Sequence, residues 1–101
     1  MYIKIHESYR KVAALCDSEL IGKKFEEGKK QLEVRENFYK GEEVNEEEVI
    51  EMLRDLKTDD ATFNIVGEKS VQAALNAEII AKENVEEVDG VRFALVLLYV
   101  N

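Results

Sequence analysis

Apolar and polar side chains alternate over Tyr2-Ile3-Lys4-Ile5-His6, the period of a half-buried strand. The alternation predicts Ile3 and Ile5 inward and Tyr2, Lys4 and His6 outward. After a turn at Glu7-Ser8, Arg10 to Cys16 reads as a second strand, and the two predict a hairpin. Asp17 then opens a short helix through about Phe25, its carboxylate placed to cap free backbone N–H groups. Leu20, Ile21 and Phe25 would share one face of it, and Glu19 would pair with Lys23 one turn on. Gly28 breaks that segment. Gln31 to Val34 reads as a third strand with Leu32 and Val34 inward, and Phe38-Tyr39-Lys40-Gly41 as a turn carrying an aromatic pair.

Asn45 to Lys57 carries the strongest helical pattern. Val49, Leu53 and Leu56 line one face, and Ile50 and Met52 flank it. Asn45 and Glu48 have the spacing of a capping box. Glu46, Glu47 and Glu48 sit at the positive end of the helix dipole, Arg54 and Lys57 near the negative end. Ala61 to Val66 predicts a strand, Gly67 a break, and Glu68 to about Ala77 a helix burying Val71, Ala74 and Leu75. Val85 to Val88 and Val91 to Val100 predict two strands joined by Asp89-Gly90, a strong type I′ hairpin signal. That register sets Val88 against Val91 and Glu87 against Arg92. Apart from Arg92, both faces of the last strand are apolar, so either helices cover both or a partner subunit covers one.

The order β-β-α-β-α-β-α-β-β predicts an α/β (α+β) two-layer sandwich with a mixed or largely antiparallel sheet and about three helices. The expected core includes Ile3, Ile5, Val12, Leu20, Leu32, Leu53, Leu56, Phe63, Ile65, Leu75, Phe93, Leu95 and Leu97. With no Pro and no Gly/Ser-rich linker, residues 1–101 read as one domain.

Charge narrows the function classes. Asp plus Glu number 22 against 14 Lys plus Arg, a net charge of -8. This balance argues against a basic grip on nucleic acid or on anionic membranes. No apolar run approaches the roughly 20 residues of a membrane helix, and the N-terminus lacks a signal-peptide pattern. The expected location is cytoplasmic. One Cys and one His exclude a disulfide framework and a four-ligand structural zinc site. No metal, cofactor or catalytic residue is therefore expected.

Cys16-Asp17 lies where a strand turns towards a helix, a place that can activate a thiol. The neighbouring carboxylate opposes thiolate formation, so Cys16 reads as a structural, buried side chain. The segment Asn64-Ile65-Val66-Gly67-Glu68-Lys69-Ser70 is a strand, a glycine and a helix start. Free N–H groups there bind anions. Asn64, Gly67, Lys69 and Ser70 are the candidate ligand-binding residues, although the segment is no Walker motif and Glu68 brings its own negative charge. A tight strand-to-helix turn explains the same residues without a ligand. Lys23-Lys24 and Lys29-Lys30 bracket Glu26-Glu27 and read as a solvated charged face.

Tyr2 to His6, Leu15 to Phe25, Phe38-Tyr39-Lys40-Gly41-Glu42 and Asn64 to Ala74, in this order and spacing, resemble the short archaeal proteins catalogued as domain of unknown function 424. The resemblance implies a compact two-layer α/β fold and an archaeal cytoplasmic source, and transfers no activity. Lys40-Gly41 stands here where the family has Gly-Gly after the Phe-Tyr pair. The first functional expectation is a non-enzymatic binding or adaptor module, homodimeric through the apolar C-terminal strand and open to other protein partners. Alternatives are a small-molecule or nucleotide/phosphate binder using the Gly67 turn, with enzyme activity left open, and an acidic translation- or RNA-associated factor. The chain offers no direct RNA-recognition signature.

Overall fold

The computed structural model describes residues 1–97. In chain order the elements are β1 (Tyr2–His6), β2 (Val12–Cys16), β3 (Lys24–Glu27), β4 (Lys30–Glu33), α1 (Glu36–Tyr39) and β5 (Glu42–Glu43). They continue with α2 (Glu46–Thr58), β6 (Thr62–Val66), α3 (Glu68–Asn76), β7 (Glu86–Val88) and β8 (Val91–Val96). Six strands form one sheet in the order β5-β1-β2-β6-β8-β7, and β3-β4 is a separate hairpin. Within the large sheet only β2 and β6 run parallel; the other pairings are antiparallel. The fold is α+β, as the pattern predicts.

Local signals explain several elements. Asn45 Oδ1 accepts from the Glu48 N–H at 2.9 Å, and Glu48 Oε1 accepts from the Asn45 N–H at 3.2 Å, closing the capping box of α2. Val49, Leu53 and Leu56 are buried against the sheet. Asp89 and Gly90 have φ of 50 and 80, as a type I′ turn requires, and the pairs Val88–Val91 and Glu87–Arg92 form as expected.

The two faces of the sheet differ. Ile3, Ala13, Leu15, Phe63, Ile65 and Ala94 pack with α2 and α3 in the main core. The other face carries the row Tyr2–Cys16–Val66–Phe93 and, one step along, the row Lys4–Ala14–Asn64–Leu95. Leu32, Val34, Phe25, Phe38 and Tyr39, from the β3–β4 hairpin and α1, pack with Cys16, Val66 and Phe93 of the first row.

Four expectations need correction. The helix over Asp17–Phe25 does not form: only Ser18–Leu20 makes a single turn, and the chain then enters β3. Gly22, at φ 81, leaves the helical path; its N–H donates to the Val34 carbonyl at 2.7 Å, and Val34 N–H donates to Lys23 at 2.8 Å. Phe25 then faces Leu32 across the hairpin instead of stacking over Ile21. Phe38-Tyr39-Lys40-Gly41 is no plain turn, because Phe38 and Tyr39 finish α1. In the expected core, Ile5, Leu95 and Leu97 are 37%, 46% and 65% exposed, and Val12, Leu20 and Leu75 are half-buried. The faces of β1 are not dry and wet either: the His6 ring stacks on Phe38 at 4.5 Å. β8 ends at Val96, and the remainder of the expected strand, residues 98–100, lies outside the described residues.

Candidate functional site

β2 and β6 lie side by side and parallel, with Cys16 beside Val66, so both strands release the chain at the same end of the sheet. Asp17 follows one strand and Gly67 the other. The Asp17 N–H continues the ladder by donating to the Val66 carbonyl at 3.1 Å, and the Gly67 N–H donates to the Arg92 carbonyl at 2.8 Å. Gly67 has φ 110, a backbone open to glycine, and it aims the first turn of α3 back at Asp17.

The Asp17 carboxylate fills that first turn. Its Oδ1 accepts from the Ser70 N–H at 2.8 Å and from the Ser70 hydroxyl at 2.7 Å. Its Oδ2 accepts from the Lys69 N–H at 3.1 Å. Both residues are buried, Asp17 at 3% and Ser70 at 0% exposure. A Cβ on Gly67 would lie 2.7 Å from each Asp17 oxygen. The protein thus places its own anion at the positive end of α3, where a free anion would otherwise bind.

The expected ligand residues part company here. Gly67, the Lys69 amide and Ser70 gather around Asp17. Asn64 sits two residues back on β6, on the opposite face from Phe63 and Ile65, beside Ala14 and Leu95. The Lys69 side chain is exposed. Beside the cluster a shallow cleft of about 190 Å³ is lined in part by Glu19, Leu20, Glu68, Val91 and Arg92. The Arg92 guanidinium donates to Glu68 at 2.9 Å across its rim, so the carboxylate that faces Arg92 on the adjacent strand, Glu87, is not its ionic partner.

Sequence reading gave Asp17 a capping role but aimed it at its own segment. The true target, Ser70, is 53 residues away. Only the parallel pairing of β2 with β6 brings the two together, and nothing in the spacing announces that pairing.

Cys16 is buried and faces away from the main core, near Tyr39. Burial, and then the adjacent Asp17 carboxylate, push its thiol from 9.0 up to about 11. Such a thiol is the reverse of an activated nucleophile. Burial, and then Cys16, push the Tyr39 phenol up to about 12. His6 lies at the opposite end of the β1–β2 ladder from Cys16, and its Nε2 donates to the Phe38 carbonyl at 2.9 Å. Among the described residues no group of three or more His, Cys, Asp or Glu is placed to hold a metal ion.

In the Lys40-Gly41 turn only the second position requires glycine. A Cβ at Gly41 would collide with the Ile3 carbonyl and lie 2.9 Å from Lys4 Cβ. Lys40 has room: its ammonium reaches Glu36 at 3.8 Å and sits 6.0 Å from the Tyr2 ring.

Residues 5–99 match the protein family described as "Protein of unknown function (DUF424)". The chain belongs to that family. No curated protein matches it. A solved structure, "Crystal structure of an uncharacterized conserved protein from Methanopyrus kandleri", has a TM-score of 0.83 at 21% identity. The superposition covers 99% of this chain and 94% of that archaeal one. The likeness shows that the fold is shared.

No helix among the described residues is long and apolar enough to cross a membrane. A second surface completes the inventory. On the sheet face partly covered by the β3–β4 hairpin, Thr62, Asn64 and Leu95 run along β6 and β8; Leu95, and Leu97 just past the end of β8, are exposed large apolar groups.

Proposed function

We propose that this protein is a non-enzymatic binding module of a cytoplasmic complex, that it works as a homodimer, and that β8 supplies its contact surface. The observation that carries the reading is the exposure of Leu95 on β8 and of Leu97 just past it, at 46% and 65%, in the segment that the sequence makes apolar on both faces. Apolar surface of that kind on an otherwise highly charged domain is where association returns the most free energy. The internal cap supports the same reading from the other side: Asp17 already holds the helix-terminal donors that a phosphate ligand would use.

Affinity purification from the native host tests the reading, with the wild-type chain compared with a Leu95→Glu/Leu97→Glu variant. The variant should keep its circular dichroism spectrum and lose the co-purifying proteins. An unchanged set of partners would overturn the assignment of the surface. Stabilisation by a nucleotide or by inorganic phosphate in a thermal-shift screen would favour a small-molecule binder instead.

A further inference from the structure

The β3–β4 hairpin lies against β7 and packs on the apolar row beneath it. Of residues 24–33 only Leu32 is buried and Phe25 half-buried; the rest are exposed. These two face each other across the hairpin and share a cluster with Val88 and Phe93. Backbone pairing runs within the hairpin, from Lys24–Glu33 to Glu27–Lys30. It ends at a clamp, where the Gly22 N–H donates to the Val34 carbonyl at 2.7 Å and the Val34 N–H to the Lys23 carbonyl at 2.8 Å. Among the described residues one hydrogen bond ties 24–33 to the large sheet: the exposed Asp89 N–H donates to Glu27 Oε1 at 2.7 Å.

What holds this element down is small beside what orders it. An isolated two-stranded hairpin is marginal in water, and every ordered residue costs conformational entropy. Against that cost stand Leu32, part of Phe25 and a single exposed hydrogen bond. The sheet beneath differs in kind: Cys16, Val66 and Val88 are fully buried, and β2 and β6 are paired on both sides. Segments with few buried side chains and exposed hydrogen bonds open at lower free energy than such a core. The clamp marks where the weak part stops. Gly22 has φ 81 and open space around its α-carbon, whereas Val34 is anchored at 0% exposure.

We propose that residues 24–33 form a flap that lifts from the sheet about the Gly22–Val34 clamp while the rest of the protein stays folded. Lifting uncovers Val88 and Phe93, which are 0% and 8% exposed when the flap is down. Val88, Phe93 and Leu95 share one face of the β7–β8 ribbon, so the open form joins them into a longer apolar strip. The Glu27–Asp89 hydrogen bond is the latch. The flap thus sets how much of β8 is offered. That consequence rests on reading β8 as the contact surface; the motion itself does not.

Amide hydrogen exchange on the wild-type chain, in rising urea below the unfolding transition, tests the motion. The hydrogen-bonded amides of 24–33 should exchange faster than those of β2 and β6, because a lifted hairpin loses its own pairing. Their rates should also respond only weakly to urea, since the slope follows the surface that opens. Leu53→Ala, in the core on the other face of the sheet, should speed the β2 and β6 amides by at least about tenfold and leave those of 24–33 unchanged. Hairpin amides that follow β6 in both responses would overturn the flap. In a Cys16→Ala chain, a Val88→Cys thiol should be labelled by a thiol reagent through the same opening, and faster when Glu27→Ala removes the latch. Labelling that occurs only on global unfolding would show that the hairpin frays without leaving the sheet, and would also overturn the flap. Neither measurement needs a partner. A flap that opens in a protein whose Leu95→Glu/Leu97→Glu variant keeps its partners would overturn the contact surface and leave the motion standing.

Discussion

Asp17 follows β2 and caps a helix that begins only at Glu68. Its carboxylate satisfies two backbone donors and a buried hydroxyl, so Asp17→Ala would strand the Ser70 oxygen and two amides away from water. The expected cost is about 3 kcal/mol, combining a lost cap with a buried unpaired hydroxyl. Urea unfolding measures it, and a loss below about 0.5 kcal/mol, the size of an ordinary surface substitution, would show that the cap is idle. Gly67→Ala should be at least as damaging, because the new methyl meets the carboxylate and the φ of 110 disfavours any side chain. Cys16, next door, gives a pH signature. The unfolded chain lacks the burial that raises the thiol to about 11, so above the ordinary 9.0 it gives up a proton that the native state keeps. Stability contributed by the neutral thiol is intact below about pH 9 and is lost progressively as pH rises from there to about 11. Comparing urea midpoints between about pH 8 and pH 10, Cys16→Ala should flatten the decline relative to wild type. Parallel slopes for the two proteins would place the thiol outside the low-dielectric interior.

Elements with a local cause were readable. The capping box of Asn45 and Glu48 and the stripe of Val49, Leu53 and Leu56 specify α2 within one stretch of chain. Asp89-Gly90 specifies the β7–β8 hairpin in two residues. Elements whose cause is distant were not. Ser18 to Phe25 has a helical face on paper, yet the chain is drawn into β3 because Val34, far outside the segment, bonds with Gly22 and Lys23. Gly28, read as a break, is the hairpin turn itself at φ 62, with Glu27 and Lys30 paired across it. The same holds at the candidate site: Gly67, Lys69 and Ser70 stand together in sequence, but the acid that accepts from the Lys69 and Ser70 amides follows β2 and is placed by tertiary pairing alone. The strength of the local signals can be measured. Asn45→Ala should cost about 1 kcal/mol through the lost cap. Leu53→Ala, in a fully buried position, should cost about 2–5 kcal/mol. Equal costs for the two would mean that the packed face of α2 counts for no more than its end.

At the scale of the whole molecule, charge works against compactness. Folding gathers a net charge of -8 into a body with a radius of gyration of 12.5 Å. The ion pairs do little to offset this, since Lys11–Asp59, Lys24–Glu26, Arg35–Glu33 and Lys40–Glu36 all involve largely exposed side chains. Net self-repulsion should therefore outweigh paired attraction at low ionic strength. Salt shortens the reach of both, from about 30 Å at 0.01 M to about 8 Å at 0.15 M, and the longer-range repulsion is lost first. Thermal unfolding in rising sodium chloride should show a higher midpoint, by about 4–8 °C if screening recovers about 1 kcal/mol. A midpoint that falls with salt would mean that surface pairs such as Arg92–Glu68 hold the fold together. The same screening acts between molecules. Two copies meeting at β8 carry their net negative charge towards each other, so salt should tighten association as it raises the midpoint. Dilution at fixed salt separates the two effects, because a midpoint governed by self-association falls as the protein is diluted and one governed by internal repulsion does not.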